Sequence, residues 1–254
     1  MFARQRAPMS GTGPRRFLSA GLVLIVALGT GCSSPAQPSG PEVPSEPNTL
    51  TGAERAAGWR LLFDGSTTSG WRGFRQAGMP AGWQVIEGAL TQVAGGGDLI
   101  TTDQFANFEL ALEWRISVGG NSGIMFRVSE AAADATFLTG PEMQVLDNAQ
   151  APDPGPTGLA GACYGLYAPS RDVTKPAGSW NAVRLIANRS HIEHWLNGVR
   201  IVEYELGSPD WLARLRLSPY RDTPTYGRES IGHIALQEHG ARVAFRNLKL
   251  IVMP

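Results

Sequence analysis

The sequence predicts an all-β fold: a two-sheet antiparallel β-sandwich of the jelly-roll kind, with one short helix. Three observations point there. Apolar and polar residues alternate along many short segments, the period of a half-buried strand. Glycine is abundant, 31 of 254 residues, and falls between those segments, where tight turns need it. One stretch alone carries both start and stop signals for a helix. Many short strands broken by turns, with little helix, are the pattern of sandwiches and jelly rolls.

The chain opens with a segment to be set aside before any fold reasoning. Arg4, Arg6, Arg15 and Arg16 form a basic leader, and the apolar run Leu22 to Leu28 is too short to span a bilayer as a folded helix. The run ends in Leu28-Gly29-Thr30-Gly31-Cys32-Ser33. This resembles a bacterial lipoprotein signal, in which the cysteine is lipidated and becomes the first mature residue. An ordinary secretory signal cut nearby is the alternative. Residues 1–31 are therefore read as signal peptide with Cys32 as the lipidation site. Residues 32–52, rich in Pro and Ser and poor in apolar side chains, are read as a disordered tether. The expected location is the cell envelope, with the membrane met through the lipid only.

Residues 53–254 remain as one domain, long enough for a sizeable core. The chain holds 22 basic and 22 acidic residues; removing the four leader arginines leaves 18 against 22, a formal charge of −4. A mildly acidic protein argues against nucleic acid as a partner. There are two cysteines, and if Cys32 is lipidated Cys163 has no intramolecular partner, so a disulfide framework is excluded.

Phe108 to Ile116 is the clearest strand: Phe108, Leu110, Leu112, Trp114 and Ile116 face one way, Glu109, Glu113 and Arg115 the other. Trp83 to Ile86 and Ala89 to Val93 form a hairpin across Glu87-Gly88. Trp180 to Ala187 passes through Asn188-Arg189-Ser190 into Ile192 to Leu196, and Asn197-Gly198 turns the chain into Val199 to Tyr204. Ser208 caps the helix, Pro209 suits its first turn, and Pro219 stops it. The last two strands, His233 to Glu238 and Val243 to Val252, are expected to form a hairpin over Gly240.

The chemistry-bearing residues sit on two strands. In Glu142-Met143-Gln144-Val145-Leu146-Asp147, Met143 and Val145 share one face, Glu142 and Gln144 the other. Gln237 and His239 repeat this grammar near the C-terminus. If both rows lie in one sheet, four polar groups converge, and His239 could act as base, acid or metal ligand; otherwise His239 merely caps a turn. Glu142 and Asp147 do not form an ordinary glycosidase pair. Such pairs stand about 5–5.5 Å or 6.5–9.5 Å apart, whereas five strand positions at about 3.3 Å each put these carboxyls roughly 16 Å apart on opposite faces. No Gly-rich phosphate loop, paired-Cys metal signature or Gly-x-Ser-x-Gly elbow is present. Of seven tryptophans, Trp180, beside the polar loop Lys175 to Ser179, is the candidate for stacking on a sugar.

Further blocks fall in a recognisable order. They are Leu62-Phe63-Asp64-Gly65 with Gly70-Trp71, Asn121-Ser122-Gly123-Ile124, Glu142 to Asn148, Gly165-Leu166-Tyr167, Lys175 to Asn181, Trp195-Leu196-Asn197-Gly198, Gly232 to Gly240, and Phe245-Arg246-Asn247. Together they cover nearly all of residues 58–252 and resemble the 3-keto-disaccharide hydrolase family. The resemblance implies a concanavalin-like jelly roll with a concave sugar-facing sheet, acting on glycosides oxidised to a ketone at C3. Such a ketone acidifies the C2 hydrogen, so a base can drive the aglycone off C1, and water then adds to the enone. The resemblance makes Glu142 and His239 the base and acid, or ligands of a divalent metal; no other cofactor is indicated. Asn121, Gln144 and Gln237 would hold sugar hydroxyls, Lys175 or Arg127 would neutralise the enolate, and Trp180 and Asn181 complete the substrate-binding set. A non-catalytic carbohydrate-binding lipoprotein on the same fold is the rival reading.

Overall fold

The computed structural model describes residues 46–254. The leader, Cys32 and the tether up to residue 45 lie outside the described residues. Packed structure begins ahead of the expected boundary at 53. Asn48 is buried, its N–H donates to Asn247 Oδ1 at 2.5 Å, and Asn247 N–H donates back to Asn48 Oδ1 at 2.8 Å. A helix not expected from sequence follows, α1 (Gly52–Ala57). Thr51 caps it in a reciprocal box: Glu54 N–H donates to Thr51 Oγ1 at 3.1 Å and Thr51 N–H to Glu54 Oε2 at 2.8 Å. Gly58, at φ 92°, ends it in the left-handed region. Glu54 then forms a buried ion pair with Lys249.

The strands run in chain order as β1 (Arg60–Leu61), β2 (Trp71–Gly73), β3 (Trp83–Ile86), β4 (Ala89–Gln92), β5 (Leu99–Thr101), β6 (Phe108–Ile116), β7 (Asn121–Val128), β8 (Glu142–Leu146), β9 (Asn181–Asn188), β10 (His191–Leu196), β11 (Val199–Glu205), β12 (His233–Leu236) and β13 (Val243–Val252). The second helix, α2 (Pro209–Leu217), lies between β11 and β12, where Ser208 Oγ accepts the Trp211 N–H at 3.1 Å. The strands build two antiparallel sheets. The larger, of eight strands, has the order β11-β10-β9-β6-β13-β4-β3, with β1 also on β13; the smaller, of five, has the order β2-β5-β12-β7-β8.

Strand β6 shows why the layers form. Phe108, Leu110, Leu112, Trp114 and Ile116 are buried in the core between the sheets, against Phe126, Met143, Leu185 and Phe245. On its outer face Glu109 pairs with Arg184, and Glu113 accepts from Arg246 Nε at 2.6 Å. The turn between β3 and β4 needs left-handed backbone at Glu87 (φ 51°) and Gly88 (φ 72°), and that between β10 and β11 needs it at Asn197 (φ 49°) and Gly198 (φ 81°), as primed hairpin turns demand.

The C-terminal pair departs from expectation. Strand β12 pairs with β5 and β7 in the small sheet, while β13 pairs with β4, β6 and β1 in the large one. The Gly240 bend is thus a crossing between sheets and not a hairpin. Its approach is held by the small sheet: Gln237 N–H donates to the Gly123 carbonyl at 2.9 Å and Glu238 N–H to Asp98 Oδ1 at 2.8 Å. On the outer face of the small sheet Ile100, Met125, Val128 and Ala235 form a second, minor apolar cluster against Phe74.

Candidate active site

Strand β8 divides its side chains as its alternation requires. Met143 and Val145 enter the core, and Glu142 and Gln144 face a cavity on the outer side of the small sheet. The neighbouring β7 places Gly123 opposite Gln144 and Met125 opposite Glu142. A Cβ on Gly123 would stand 2.0 Å from Glu142 Oε1, so the missing side chain makes room for this carboxyl. Asn121, the first residue of β7, reaches the cavity, and so do Gln237 and His239 from the crossing that leaves β12. The two polar rows do share one surface.

The cavity measures about 200 Å³. Opposite the polar groups, three aromatic residues complete its lining: Phe137 from a 3-10 turn (Thr136–Leu138), Tyr164 and Tyr220. Tyr164 is fixed by its N–H, which donates to the Glu142 carbonyl at 3.0 Å. Tyr220 ends a stack that runs in from α2: Tyr204 on Trp211 at 5.3 Å, Trp211 on Tyr226 at 5.9 Å, and Tyr226 on Tyr220 at 3.9 Å between centroids.

Glu142 is fully buried, while His239 is exposed at the mouth. Burial, reinforced by the nearby Asp98 carboxylate, pushes the Glu142 carboxyl up from 4.5 to about 8. Burial and the Glu142 charge hold the Tyr220 hydroxyl protonated well above its ordinary range, leaving it a hydrogen-bond donor at neutral pH. The Gln144 amide has two orientations to choose between. One sets its carbonyl against Glu142 Oε1 and its nitrogen 3.3 Å from Asn121 Oδ1. The other donates to Glu142 Oε1 at 3.0 Å and to the Ser122 carbonyl at 3.2 Å, and only this one suits an ionised Glu142.

Four residues expected to bind substrate are elsewhere. Arg127 is buried and donates through Nε and Nη2 to the Ala106 carbonyl at 3.1 and 2.8 Å. Its φ of 54° and the register shift opposite His233 and Ala235 break the strand alternation that would have faced it to the cavity. Lys175 Nζ donates to the Trp180 carbonyl at 3.0 Å. The Trp180 ring is covered on the outer face of the large sheet by Arg246 and Arg115, at 4.1 and 4.7 Å from its centroid. Asn181 is buried and its Oδ1 accepts from the Lys175 N–H and from Asn197 Nδ2, both at 2.8 Å, so it ties two loops together. Asp147 likewise braces a turn, accepting the Gly119 N–H at 2.9 Å.

Sequence reasoning missed Gly123, Phe137, Tyr164, Tyr220 and Asp98. Gly123 lies inside a recognisable block, but only the packing shows what it faces.

A metal at Glu142 and His239 was tested against the donors present. Among the described residues, one group of three imidazole or carboxylate side chains brings its ligand atoms within 4.8 Å of one another: His191, Glu193 and Glu203, on the outer face of the large sheet. There Arg200 already stands 3.1 Å from Glu203. In the cavity Glu142 and His239 are joined by amides and aromatic groups. The amide oxygens of Asn121, Gln144 and Gln237 stand beside them, donors that a hard divalent ion also accepts, so Glu142 and His239 with these amides would hold one.

A two-sheet sandwich that gathers Glu142, His239 and a row of amides in one cavity is a setting suited to a carbohydrate-active enzyme. The chain belongs to the family described as the 3-keto-alpha-glucoside-1,2-lyase-like domain, which matches residues 58–251. A 3-keto-disaccharide hydrolase of Bacteroides thetaiotaomicron is 30% identical over 230 residues, 78% of this chain and 79% of the relative. A candidate glycosyl hydrolase of Parabacteroides distasonis, known by crystal structure, superposes with a TM-score of 0.76 at 34% identity, covering 82% of this chain and 100% of that one. A second from the same organism gives 0.64 at 26% identity, covering 77% and 99%. The chain is accordingly a glycoside hydrolase or lyase.

Proposed function

We propose that this enzyme cleaves glycosides already oxidised to a ketone at C3, by elimination followed by hydration. The observation that carries this is Glu142: a buried carboxyl with its pKa pushed to about 8, and no second carboxylate lining the cavity among the described residues. A glycosidase acting on an unoxidised sugar needs two carboxyls across the bond. Abstraction of a carbon-bound proton made acidic by an adjacent ketone needs one strong, desolvated base.

In this reading Glu142 takes the C2 proton and the electron pair becomes the enolate of the C3 ketone. The enolate re-forms the ketone with a C1–C2 double bond as the C1–oxygen bond breaks. His239, at the mouth, gives a proton to the departing aglycone oxygen. Water then adds across the double bond, its oxygen to C1 and a proton to C2, so the net reaction is hydrolysis. Amide N–H groups of Asn121 and Gln237 and the protonated Tyr220 hydroxyl supply donors for sugar hydroxyls and for the enolate oxygen. A cavity of about 200 Å³ is smaller than the roughly 300–1,000 Å³ that drug-sized ligands occupy, which suits one sugar ring with the aglycone outside.

The test is to incubate the protein with a 3-keto-disaccharide and with its unoxidised parent. Release of the aglycone from the keto form alone is expected; binding of both without turnover overturns the reading. The leader adds a proposal about place: Cys32 carries a lipid that holds the enzyme at the cell envelope. Cys32→Ser should then move the protein from the membrane fraction to the soluble one, and unchanged fractionation overturns it.

A further inference from the structure

We propose that Asp98 is a positioning residue of the cavity: one carboxylate fastens the turn that carries Phe137 and the crossing that carries Gln237 and His239. The proposal rests on the cavity being the site of catalysis.

Asp98 directly precedes β5 and is itself held by the backbone, its carbonyl accepting the Phe74 N–H at 2.9 Å. Its two carboxylate oxygens are divided between two segments. Oδ2 accepts from the Thr136 hydroxyl, and Oδ1 accepts the Glu238 N–H at 2.8 Å. Thr136 is buried and opens the 3-10 turn; its carbonyl accepts the N–H of Thr139 at 3.2 Å and of Gly140 at 3.0 Å. Phe137 follows it directly, and Glu142 begins the next strand. Glu238 lies between Gln237 and His239, both at the cavity wall.

Each segment has its own supports, Ser129, Thr225 and Gly227 for the turn and Ser122 and Gly123 for the crossing, and Asp98 is the side chain that bonds to both. The turn and the crossing belong to different connections, 98 residues apart between Thr139 and Gln237 by numbering, and no backbone ladder joins them. The crossing is pinned to β7 through Gln237, but His239 is two residues further on and exposed. Phe137 is also exposed, an aromatic side chain facing the cavity with no core around it to fix it. Asp98 joins the two supports through one rigid carboxylate. It has no salt bridge among the described residues, so its hydrogen-bonding capacity is directed to these donors. Asparagine at this site can keep both links: its Oδ1 accepts the Glu238 N–H, and its Nδ2 donates to the Thr136 hydroxyl oxygen.

The test compares Asp98→Ala, Asp98→Asn and Thr136→Val on the intact protein. Asp98→Ala is expected to lower kcat/KM by roughly 10²-fold, the scale of a reacting group misplaced by about 1 Å. Asp98→Asn should restore most of that. Thr136→Val frees only the Phe137 side and should raise KM more than it lowers kcat; it carries the test if Asp98→Ala does not fold. Amide exchange gives a readout without substrate: Asp98→Ala should speed exchange at Glu238, Thr139 and Gly140 by about tenfold or more, the effect of one lost hydrogen bond, and Asp98→Asn should not.

Unchanged kcat/KM and exchange in both Asp98→Ala and Thr136→Val overturns the proposal. So does Asp98→Asn as inactive as Asp98→Ala with wild-type exchange, because the negative charge and not the fastening would then matter. If the wild-type protein turns over no 3-keto-glycoside, the proposed reaction fails, and the exchange arm still decides whether Asp98 fastens the two segments.

Discussion

Gly123 and Glu142 compete for one volume: the carboxyl of Glu142 occupies the space a methyl group on Gly123 would need, with 2.0 Å between them. Gly123 has no left-handed backbone to protect, so alanine there is allowed by conformation and excluded by its neighbour. Gly123→Ala should fold at a cost of about 1–3 kcal/mol, the usual range for overpacking. It should lose roughly 10²-fold in kcat/KM by displacing Glu142. Kinetics beside a thermal melt check this; full activity would remove Glu142 from the chemistry.

A base with its pKa near 8 leaves a mark on the pH profile. The rate on a 3-keto-glycoside should climb with pH toward about 8, as Glu142 loses its proton. Glu142→Gln should abolish turnover at every pH. A profile already flat from pH 5 upward would contradict the assignment.

The same shift bears on stability. The folded-state value of Glu142 lies above its unfolded value of 4.5, so the folded state holds the extra proton between about pH 4.5 and 8. Its contribution to stability is fully present below pH 4.5 and is lost as pH rises through about 8, by up to about 1.4 kcal/mol per pH unit. Glu142→Gln removes this loss, so the variant should gain on the wild type from pH 5 to pH 9 in paired denaturant titrations. Parallel curves for the two proteins would refute the shift.

His194 works in the opposite direction. It is buried, with its Nδ1 2.9 Å from the Gly161 carbonyl, and burial drives its pKa from 6.5 down to about 4. A depressed folded value contributes stability that is present above pH 6.5 and lost as pH falls through about 4. His194→Gln should flatten the acid side of the stability curve, measured by urea unfolding at pH 7, 5.5 and 4. An unchanged acid slope would show that His194 is not buried in its neutral form.

Residues outside the cavity should be silent in catalysis. Lys175→Ala and Trp180→Ala alter the opposite face of the sandwich and one edge loop, and should leave kcat/KM within about threefold, the scatter of surface substitutions. A loss of tenfold or more would mean that substrate extends beyond the cavity described.

Much of this was legible in the chain because strand periodicity is local. The alternation in Phe108 to Ile116 and in Glu142 to Leu146 fixed which side chains entered the core, and the structure agrees. Turn chemistry was equally local at Asn197-Gly198. Gly240 misled because a glycine bend looks the same whether the next strand pairs beside the last one or departs to the other sheet. The helix α1 went unread although Thr51 and Glu54 carry the capping-box spacing, because its start merges with a proline-rich stretch. Arg127 was misplaced by a register shift that periodicity does not contain. Asp98 and Tyr220 reach the site only through contacts far apart in sequence, which no short window can show.

The crossing from β12 to β13 ties reactivity to architecture. His239 rides on the span between the two sheets, and Glu142 is anchored in one of them. The length of that span, and not strand pairing, therefore sets where His239 stands relative to Glu142. One residue added or removed around Gly240 would move the imidazole and leave the carboxyl where β8 holds it. An engineer seeking altered aglycones could reshape the rim of the cavity from this one connection.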